Sequence, residues 1–246
     1  SIDTDALGTF TGEIPREGAP GEVARRKARL GMEATRLPLG LASEGSFGPH
    51  PLMPFLPSGF ELLVFVADEE GFTVSEQIVT SETNYAQARC VDPPAALAFA
   101  AQAHFPSHSL IVRPAACPDP ALIRKDVRHY AALLLAVRQA IEESPEKCAL
   151  LETDMRAYAN PTRMRLIRRL GARLARRLRT HCPACHCPGF GKVGAEPGLP
   201  CVNCGEPTEM TLWEIFGCPR CGTTRRYPRA DGSIAAQAQY CPACNP

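Results

Sequence analysis

The stretch CPACHCPGFGKVGAEPGLPCVNCGEPTEMTLWEIFGCPRCG, residues 182–222, carries the most specific pattern in the chain. It contains three C-x-x-C pairs, and a fourth pair follows at 241–244. Each pair sets two thiolates on one tight turn, and two pairs complete the tetrahedral four-sulfur shell that Zn²⁺ prefers. The sequence therefore predicts a zinc-ribbon-like domain at 181–246 with two structural zinc ions. Its expected ligands are Cys182, Cys185, Cys201, Cys204, Cys218, Cys221, Cys241 and Cys244.

The pairing of these turns depends on the segment EMTLWEIFG (209–217), which is typical of a strand running into the third pair. We expect the second and third pairs to share one ion, and the outer pairs to share the other, in a nested arrangement. Sequential pairing is the alternative. His186 and Cys187 could replace a ligand, but we expect both to be bystanders beside the first pair. Four protein ligands close a site to water, so we expect both ions to be structural.

Composition predicts an ordinary globular protein. The chain has 246 residues, of which 45% are hydrophobic and 22% charged, enough for a main domain and a small one. The longest apolar runs, at 62–67 and 131–137, are too short to span a bilayer. No secretory signal opens the sequence, and nothing points to the oxidising compartment that disulfides need. We therefore expect no membrane partner and a cytoplasmic location.

Charge is distributed unevenly along the chain. Residues 1–154 hold 13 basic and 21 acidic side chains, whereas residues 155–195 hold nine arginines, one lysine and no acid. Such polarity is found in chains that bind nucleic acid or phosphate. It is equally expected if the basic segment lies on the acidic domain.

The basic segment, 151–180, is predicted to form an amphipathic helix that connects two domains. Asn160 suits the N-cap and Pro161 the first helical position of the stretch 160–180. Arginines cover most of the helix and offer a contact for nucleic acid, but no aromatic side chains are interleaved for base stacking. Apolar residues recur on one face that we expect to dock on protein: Met164, Ile167, Leu170, Leu174 and Leu178.

The first 150 residues predict an α/β domain with a mixed sheet. Helices are expected at 20–36, 93–105 and 121–144, and strands at 37–42 and 109–114. Two further strands, 60–71 and 72–82, are expected to form a hairpin. A polar turn, SEGSFGPHP, is expected at 43–51. Helices that alternate with buried strands favour a layered fold.

Polar side chains in the turns of this domain suggest a site. Carboxylates at Glu22 and Glu44 lie at a helix start and a strand end, and such groups can hold Mg²⁺ while phosphates bridge the ion. Glu44 could act as general base and Lys27 could face a phosphate. The alternative is a first-turn acid favoured by the helix dipole and a solvated lysine. Further candidates for substrate or Mg²⁺ binding are Asp5, Glu13, Ser46 and His50.

The stretch EVARRKARLGMEATRLPLGLASEGSFG (22–48) resembles the core motif of the inosine/xanthosine triphosphate pyrophosphatase superfamily. Glu22, Ala24, Lys27 and Ala28 match the superfamily's Glu-Asn-Ala-x-x-Lys-Ala helix, and Glu44 falls where it has an acidic turn residue. The resemblance implies a Mg²⁺-dependent hydrolase of a nucleoside phosphate. The superfamily's opening strand and phosphate loop would lie before Ser1, so this domain would lack its first strand.

A second resemblance covers nearly the whole chain. The blocks DTDALGTFTGEI, ASEGSFGPHP, SETNYA, FPSHSLIVRP, ETDMRAYANPTRM and CPACHCPGFG, with the final CNP, look like a bacterial family known only as a domain of unknown function. This resemblance implies a two-part architecture with a zinc tail and no particular reaction. Two classes of function remain: the hydrolase, with a nucleotide or similar anion as ligand, and a zinc-ribbon module that binds nucleic acid or protein on an α/β scaffold.

Overall fold

The computed structural model describes residues 17–50 and 53–246. The chain divides into two compact units. The first comprises the described part of Ser1–Val66 with Ser75–Ala172, and the second comprises Ala67–Val74 with Arg173–Pro246. The described helices are α1 (Pro20–Thr35), α2 (Pro93–Gln102), α3 (Tyr130–Glu143) and α4 (Pro161–Leu178). The strands are β1 (Gly40–Pro49), β2 (Pro57–Ala67), β3 (Phe72–Thr80), β4 (Gln87–Cys90), β5 (Leu110–Pro114), β6 (Arg124–Val127), β7 (Ala149–Thr153), β8 (Gly191–Pro197), β9 (Thr211–Gly217) and β10 (Thr224–Pro228).

The first sheet has the strand order β1-β2-β3, and α1 packs on one of its faces. The buried contacts between helix and sheet come from Ala24 and Ala28 of α1 and from Leu62, Val64 and Val66 of β2. These three strand residues alternate along β2, so they point to the same face. The helix 20–36 and the hairpin predicted from the sequence are both confirmed.

The second sheet has the order β4-β7-β5-β6, with antiparallel pairing between neighbours. Its central strands β5 and β7 pack with α2 and α3 in one apolar cluster that includes Leu110, Leu133 and Leu151. Asp92 caps α2, since its carboxylate accepts a hydrogen bond from the backbone N–H of Ala95 at 2.8 Å. This cluster is the main apolar core of the first unit.

Helix α4 begins where the sequence predicts. Asn160 is the N-cap, and its side-chain oxygen accepts a hydrogen bond from the backbone N–H of Arg163 at 3.0 Å. The buried stripe consists of Arg163, Leu166, Leu170 and Leu174. The predicted apolar stripe is therefore correct at Leu170 and Leu174. Its other members, Met164, Ile167 and Leu178, are only half-buried.

Three predictions for the N-terminal part are wrong. The expected mixed sheet is a set of antiparallel sheets, although the α/β composition of helices and strands is confirmed. The expected turn at 43–51 is mostly strand, because β1 continues to Pro49 and pairs with β2 residue by residue. The expected helix 121–144 begins only at Tyr130, and its first part is the strand β6. In both cases pairing with the adjacent strand of the chain, β2 or β5, overrides the local pattern.

Candidate metal centres

The eight cysteines of the C-x-x-C turns form two groups in the second unit. One group contains Cys182, Cys185, Cys218 and Cys221, and the other contains Cys201, Cys204, Cys241 and Cys244. The sulfur atoms of each group all lie within 4.8 Å of one another. Each group could therefore hold one metal ion.

The pairing is interleaved, first pair with third and second pair with fourth, so the nested prediction and the sequential alternative are both wrong. The reason lies in the sheet, which has the order β10-β9-β8. Gly191 at the start of β8 pairs with Gly217 at the end of β9, which brings the first and third turns to one end of the sheet. Pro197 at the end of β8 pairs with Thr211, and the second turn follows at the opposite end.

The fourth turn reaches the same end as the second through β10. This strand runs antiparallel to β9, and its last residue, Pro228, pairs with Trp213 near the start of β9. The chain that follows contacts the second turn, where Val202 donates a backbone hydrogen bond to the carbonyl of Ala236 at 2.9 Å. Strand β9 thus separates the second turn from the third by seven residues, about 20 Å. In the sequence, β9 suggests that the second and third turns share an ion, whereas in the structure it holds these two turns apart.

The geometry of each group fits Zn²⁺. A tetrahedron of sulfur atoms about 2.3 Å from a zinc ion has edges of about 3.8 Å. The first group has Sγ–Sγ distances of 3.7 Å between Cys182 and Cys221 and 3.6 Å between Cys185 and Cys218. In the second group the corresponding distances are 3.9 Å, Cys201 to Cys244, and 3.6 Å, Cys204 to Cys241. These separations exceed the length of a disulfide, about 2.05 Å.

Backbone N–H groups point at the sulfur atoms within the turns. Ala184, Asn203 and Arg220 each donate to the first cysteine of their turn at 3.4 Å. Such donors stabilise a thiolate and orient a metal ligand. Hydrogen bonds from the backbone of Cys204 and then of Asn203 lower the pKa of Cys201 to about 7.

Four thiols this close cannot all ionise without a cation. The hydroxyl and backbone of Thr223 lower the pKa of Cys221 to about 6, whereas desolvation raises the pKa of Cys218 in the same group to about 12. A dication at the centre removes the repulsion that keeps some of the thiols protonated. The chemistry of the donor set therefore agrees with its geometry.

His186 and Cys187 take no part in either group. His186 adopts a left-handed φ of 56° directly after the first turn. Cys187 is buried, and its thiol lies 3.4 Å from the carbonyl of Pro188. The ribbon assignment is not confirmed by this arrangement, which is a three-stranded antiparallel sheet with one cysteine group at each end.

The described residues expected to form a hydrolase site lie in separate places or already contact other groups. Glu44 is 2% exposed within β1, and its carboxylate accepts a hydrogen bond from Lys27 Nζ at 2.7 Å. Glu22 accepts from the backbone N–H of Ala19 at 3.2 Å, at the start of α1. Ser46 is exposed in β1, and His50 donates its backbone N–H to the carbonyl of Leu56 at 2.7 Å.

Two candidates, Asp5 and Glu13, lie outside the described residues. Within residues 17–50 and 53–246, the two cysteine groups are the only clusters of three or more His, Cys, Asp or Glu side chains at metal-binding distance. The Mg²⁺ site with Glu44, Glu22 and Lys27 stays a prediction.

Sequence reasoning missed a buried ion pair in the first unit. Arg163 of α4 donates to both carboxylate oxygens of Glu61 in β2, at 2.8 and 2.9 Å, and to the carbonyl of Met155 at 2.6 Å. Gly45 leaves the space, because a Cβ there would lie 2.7 Å from Glu61 Oε2 and 2.8 Å from Arg163 Nη2. Gly45, which lies in the stretch expected to form a polar turn, is thus a close-approach residue in a strand. A glycine directly after Glu44 was the available signal.

In the part of the chain that the structure describes, no helix combines the length and the apolar character needed to cross a bilayer. Neither the curated proteins nor the solved structures contain a match to the chain. The likeness of residues 22–48 to the pyrophosphatase superfamily therefore receives no support. One family model does match, over residues 27–246, and its family is described as a domain of unknown function, DUF6671. The match takes in both units and all eight paired cysteines, and the chain belongs to this family.

Proposed function

We propose that the chain is a zinc-scaffolded protein that binds single-stranded nucleic acid through α4. The observation that carries the proposal is the charge on the exposed side of this helix. Three exposed arginines of the first unit lie there within about 100° of arc, away from the buried leucines. We call them the arginine face: Arg165, Arg168 and Arg169.

Zinc has a structural part in this proposal. Each cysteine group offers four sulfur ligands, which fill the tetrahedral shell of Zn²⁺ and leave no position for water or substrate. A closed shell supports folding and gives no catalysis. The second unit would then be a folded module that continues the chain after the binding segment of α4.

The charge of the surrounding sequence favours a polyanion. Residues 155–195 contain no acidic side chain, and the ion pair that Arg169 forms with Glu82 is exposed and weak, so a polyanion can replace it. Arginine binds phosphate with two parallel hydrogen bonds and remains charged at any physiological pH. Because a helix is elongated, its arginines can contact successive phosphates along a nucleic-acid chain.

An exposed aromatic ring lies beside the arginine face. Tyr158, which is 60% exposed, lines a cleft of about 320 Å³ together with Pro161, Met164, Arg165 and Arg168. The guanidinium carbon of Arg156 lies 4.9 Å from the centre of the ring. An aromatic ring next to arginines is a platform on which an unpaired base can stack. This ring is not visible in the sequence of the helix, because Tyr158 precedes α4.

The hydrolase prediction has weaker support. Glu44 is buried in an ion pair with Lys27, and the described contact of Glu22 caps its own helix. These contacts are what a structural role requires. Binding is therefore the function class that the described residues support best.

The test is fluorescence anisotropy with a labelled single-stranded oligonucleotide and the zinc-loaded full chain. Tyr158→Ala should weaken binding by about 1–3 kcal/mol through lost stacking. Arg168→Gln should weaken binding and reduce the slope of log K against log salt by about 0.7, the contribution of one phosphate contact. Arg138→Gln on α3, another exposed arginine, is the matched control and should change neither. Equal losses at Arg138 and Arg168 would overturn the proposal.

A further inference from the structure

A second cleft in the first unit carries an inference that goes beyond nucleic-acid binding. It has a volume of about 380 Å³, within the range of small-molecule sites. One wall is the turn Ser81–Asn84, the other is the first half of α4, and His104 lies between them. The cleft is lined mainly by polar side chains.

Two arginines of α4 line this cleft. Arg165 and Arg169 are four residues apart, so their side chains lie on the same side of the helix. Arg165 is anchored, because its Nη2 donates to the hydroxyl of Thr162 at 3.0 Å. That hydroxyl lies 2.9 Å from Nε2 of the buried His108. The guanidinium of Arg165 is thus held in the cleft by two successive hydrogen bonds, which run through Thr162 to the buried His108.

The opposite wall supplies hydroxyl groups and one acid. The Thr83 hydroxyl accepts a hydrogen bond from the backbone N–H of Tyr85 at 3.1 Å, which fixes its position and leaves its own proton to donate. Glu82 forms an ion pair with Arg169 in which both side chains are more than half exposed. An exposed pair of this kind is weak, so an incoming anion can replace the carboxylate.

His104 has an unusual backbone. Its φ of 63° lies in the left-handed region, which costs energy for any residue other than glycine. Its carbonyl accepts hydrogen bonds from the hydroxyl of Ser107 at 2.6 Å and from the backbone N–H of His108 at 3.2 Å. The surrounding structure therefore enforces a conformation that sets an exposed imidazole at the cleft. Strained residues of this kind concentrate at ligand sites.

We propose that this cleft binds the phosphate group of a small phosphomonoester. Two guanidinium groups, an imidazole and the hydroxyls of the turn offer more donors than a carboxylate can use, whereas a phosphate dianion presents three terminal oxygens. The volume leaves room for a small sugar beside the phosphate. The inference does not require the proposed nucleic-acid binding, with which it shares only Arg165 and Arg169.

The test is calorimetric titration of the zinc-loaded full chain with inorganic phosphate and with ribose 5-phosphate. Arg169→Gln should weaken both by at least about tenfold, because a charged hydrogen-bonding partner is lost. Arg138→Gln on α3 is the matched control, since Arg138 is an exposed arginine that does not line this cleft, and its affinities should stay within about twofold. Glu82→Gln should strengthen binding about two- to fivefold by removing the competing acid.

Equal losses in the two arginine variants, or the absence of saturable phosphate binding, would overturn the inference. A second experiment titrates the protein with an oligonucleotide that has no terminal phosphate. If Thr83→Val, on the wall of the cleft that the arginine face does not include, weakens oligonucleotide binding as much as phosphate binding, the cleft takes backbone phosphate and the small-ligand assignment fails. Phosphate binding that survives in Arg168→Gln while oligonucleotide binding is lost supports both proposals independently.

Discussion

In the first unit, strands β5 and β7 lie in one apolar cluster with α2 and α3, whereas in the second unit β10 is exposed at all five positions and β9 is buried only at its last residue. The buried side chains of the second unit include five cysteines, and four of these belong to the two metal-binding groups. Both units contain antiparallel sheets, so the difference lies in what covers them.

This difference teaches that the two units depend on different forces. Burial of apolar surface stabilises the first unit by about 25 cal/mol per Å². Among the described residues of the second unit, the large buried apolar side chains include Phe72, Phe190 and Leu199, fewer than in the first unit, so we expect metal coordination to supply part of its folding free energy. The following experiments test how far that division holds.

Removal of the metal should have the largest effect. A strong chelator should unfold the second unit, because the free energy of metal binding in such small modules is also their folding free energy. Hydrogen exchange should show lost protection across 181–246 and retained protection in β5 and β7. Metal analysis before treatment should give two zinc ions per chain, one for each group.

Protection that persists in β9 after complete removal of zinc would contradict the comparison, since an apolar core would then suffice for both units. Re-addition of Zn²⁺ serves as the control and should restore the protection.

Substitution of one cysteine ligand tests which turns share an ion in the second unit. Cys201→Ser should lower the zinc content from two ions to one, because it disrupts only the group completed by Cys204, Cys241 and Cys244. Mass spectrometry after thiol alkylation should then find Cys204 and Cys241 reactive and Cys218 protected. Reactive Cys218 with protected Cys241 would instead support the nested pairing.

The buried ion pair tests whether apolar burial alone specifies the first unit. Arg163→Ala leaves the carboxylate of Glu61 buried without its main partner, and we expect a loss of about 3–5 kcal/mol in the free energy of unfolding. Arg169→Ala, which removes an exposed pair with Glu82, should cost less than about 1 kcal/mol. Urea denaturation of the zinc-loaded chain measures both. Similar small losses would mean that the buried pair adds no stability.

A smaller effect is expected from pH. Burial, the neighbouring His104 and Arg165 lower the pKa of His108, so the folded state favours the neutral ring. The backbone N–H of Thr162 donates to His108 Nε2 at 3.2 Å, which agrees with a neutral ring protonated at Nδ1. This stability is present above the ordinary histidine pKa of about 6.5 and is lost as the pH falls below it. His108→Gln should flatten the decline in unfolding free energy between about pH 7 and 5.

The sequence predicted those features that are encoded locally. The first-turn signals of α4, the period of α1 and the spacing of the C-x-x-C turns each reside in a few consecutive residues, and the structure bears them out. The polar stretch 43–51, which contains Glu44 and Gly45, predicts a turn from its composition. In the structure Lys27 pairs with Glu44 and Arg163 lies against Gly45, and these contacts join positions 17 and 118 residues apart, which the glycine after Glu44 marks but does not identify.

The metal pairing shows the same limit. Four equivalent C-x-x-C turns allow three ways of forming two sites, and the spacing does not choose between them. The choice is made by the register of β8, β9 and β10, which sends alternate turns to opposite ends of the sheet. The pairing of Pro197 with Thr211 is what keeps the two turns that flank β9 at its opposite ends.

The interleaved cysteines have one more consequence, which concerns a broken chain. A cut in the segment 205–210 leaves β8 on one fragment and β9 with β10 on the other. Each metal ion then takes two ligands from each fragment, because every group combines a turn before the cut with a turn after it. Two bound ions would therefore hold the two fragments together. The module should therefore reassemble from two separate peptides when zinc is added, as a split protein whose association is switched by metal.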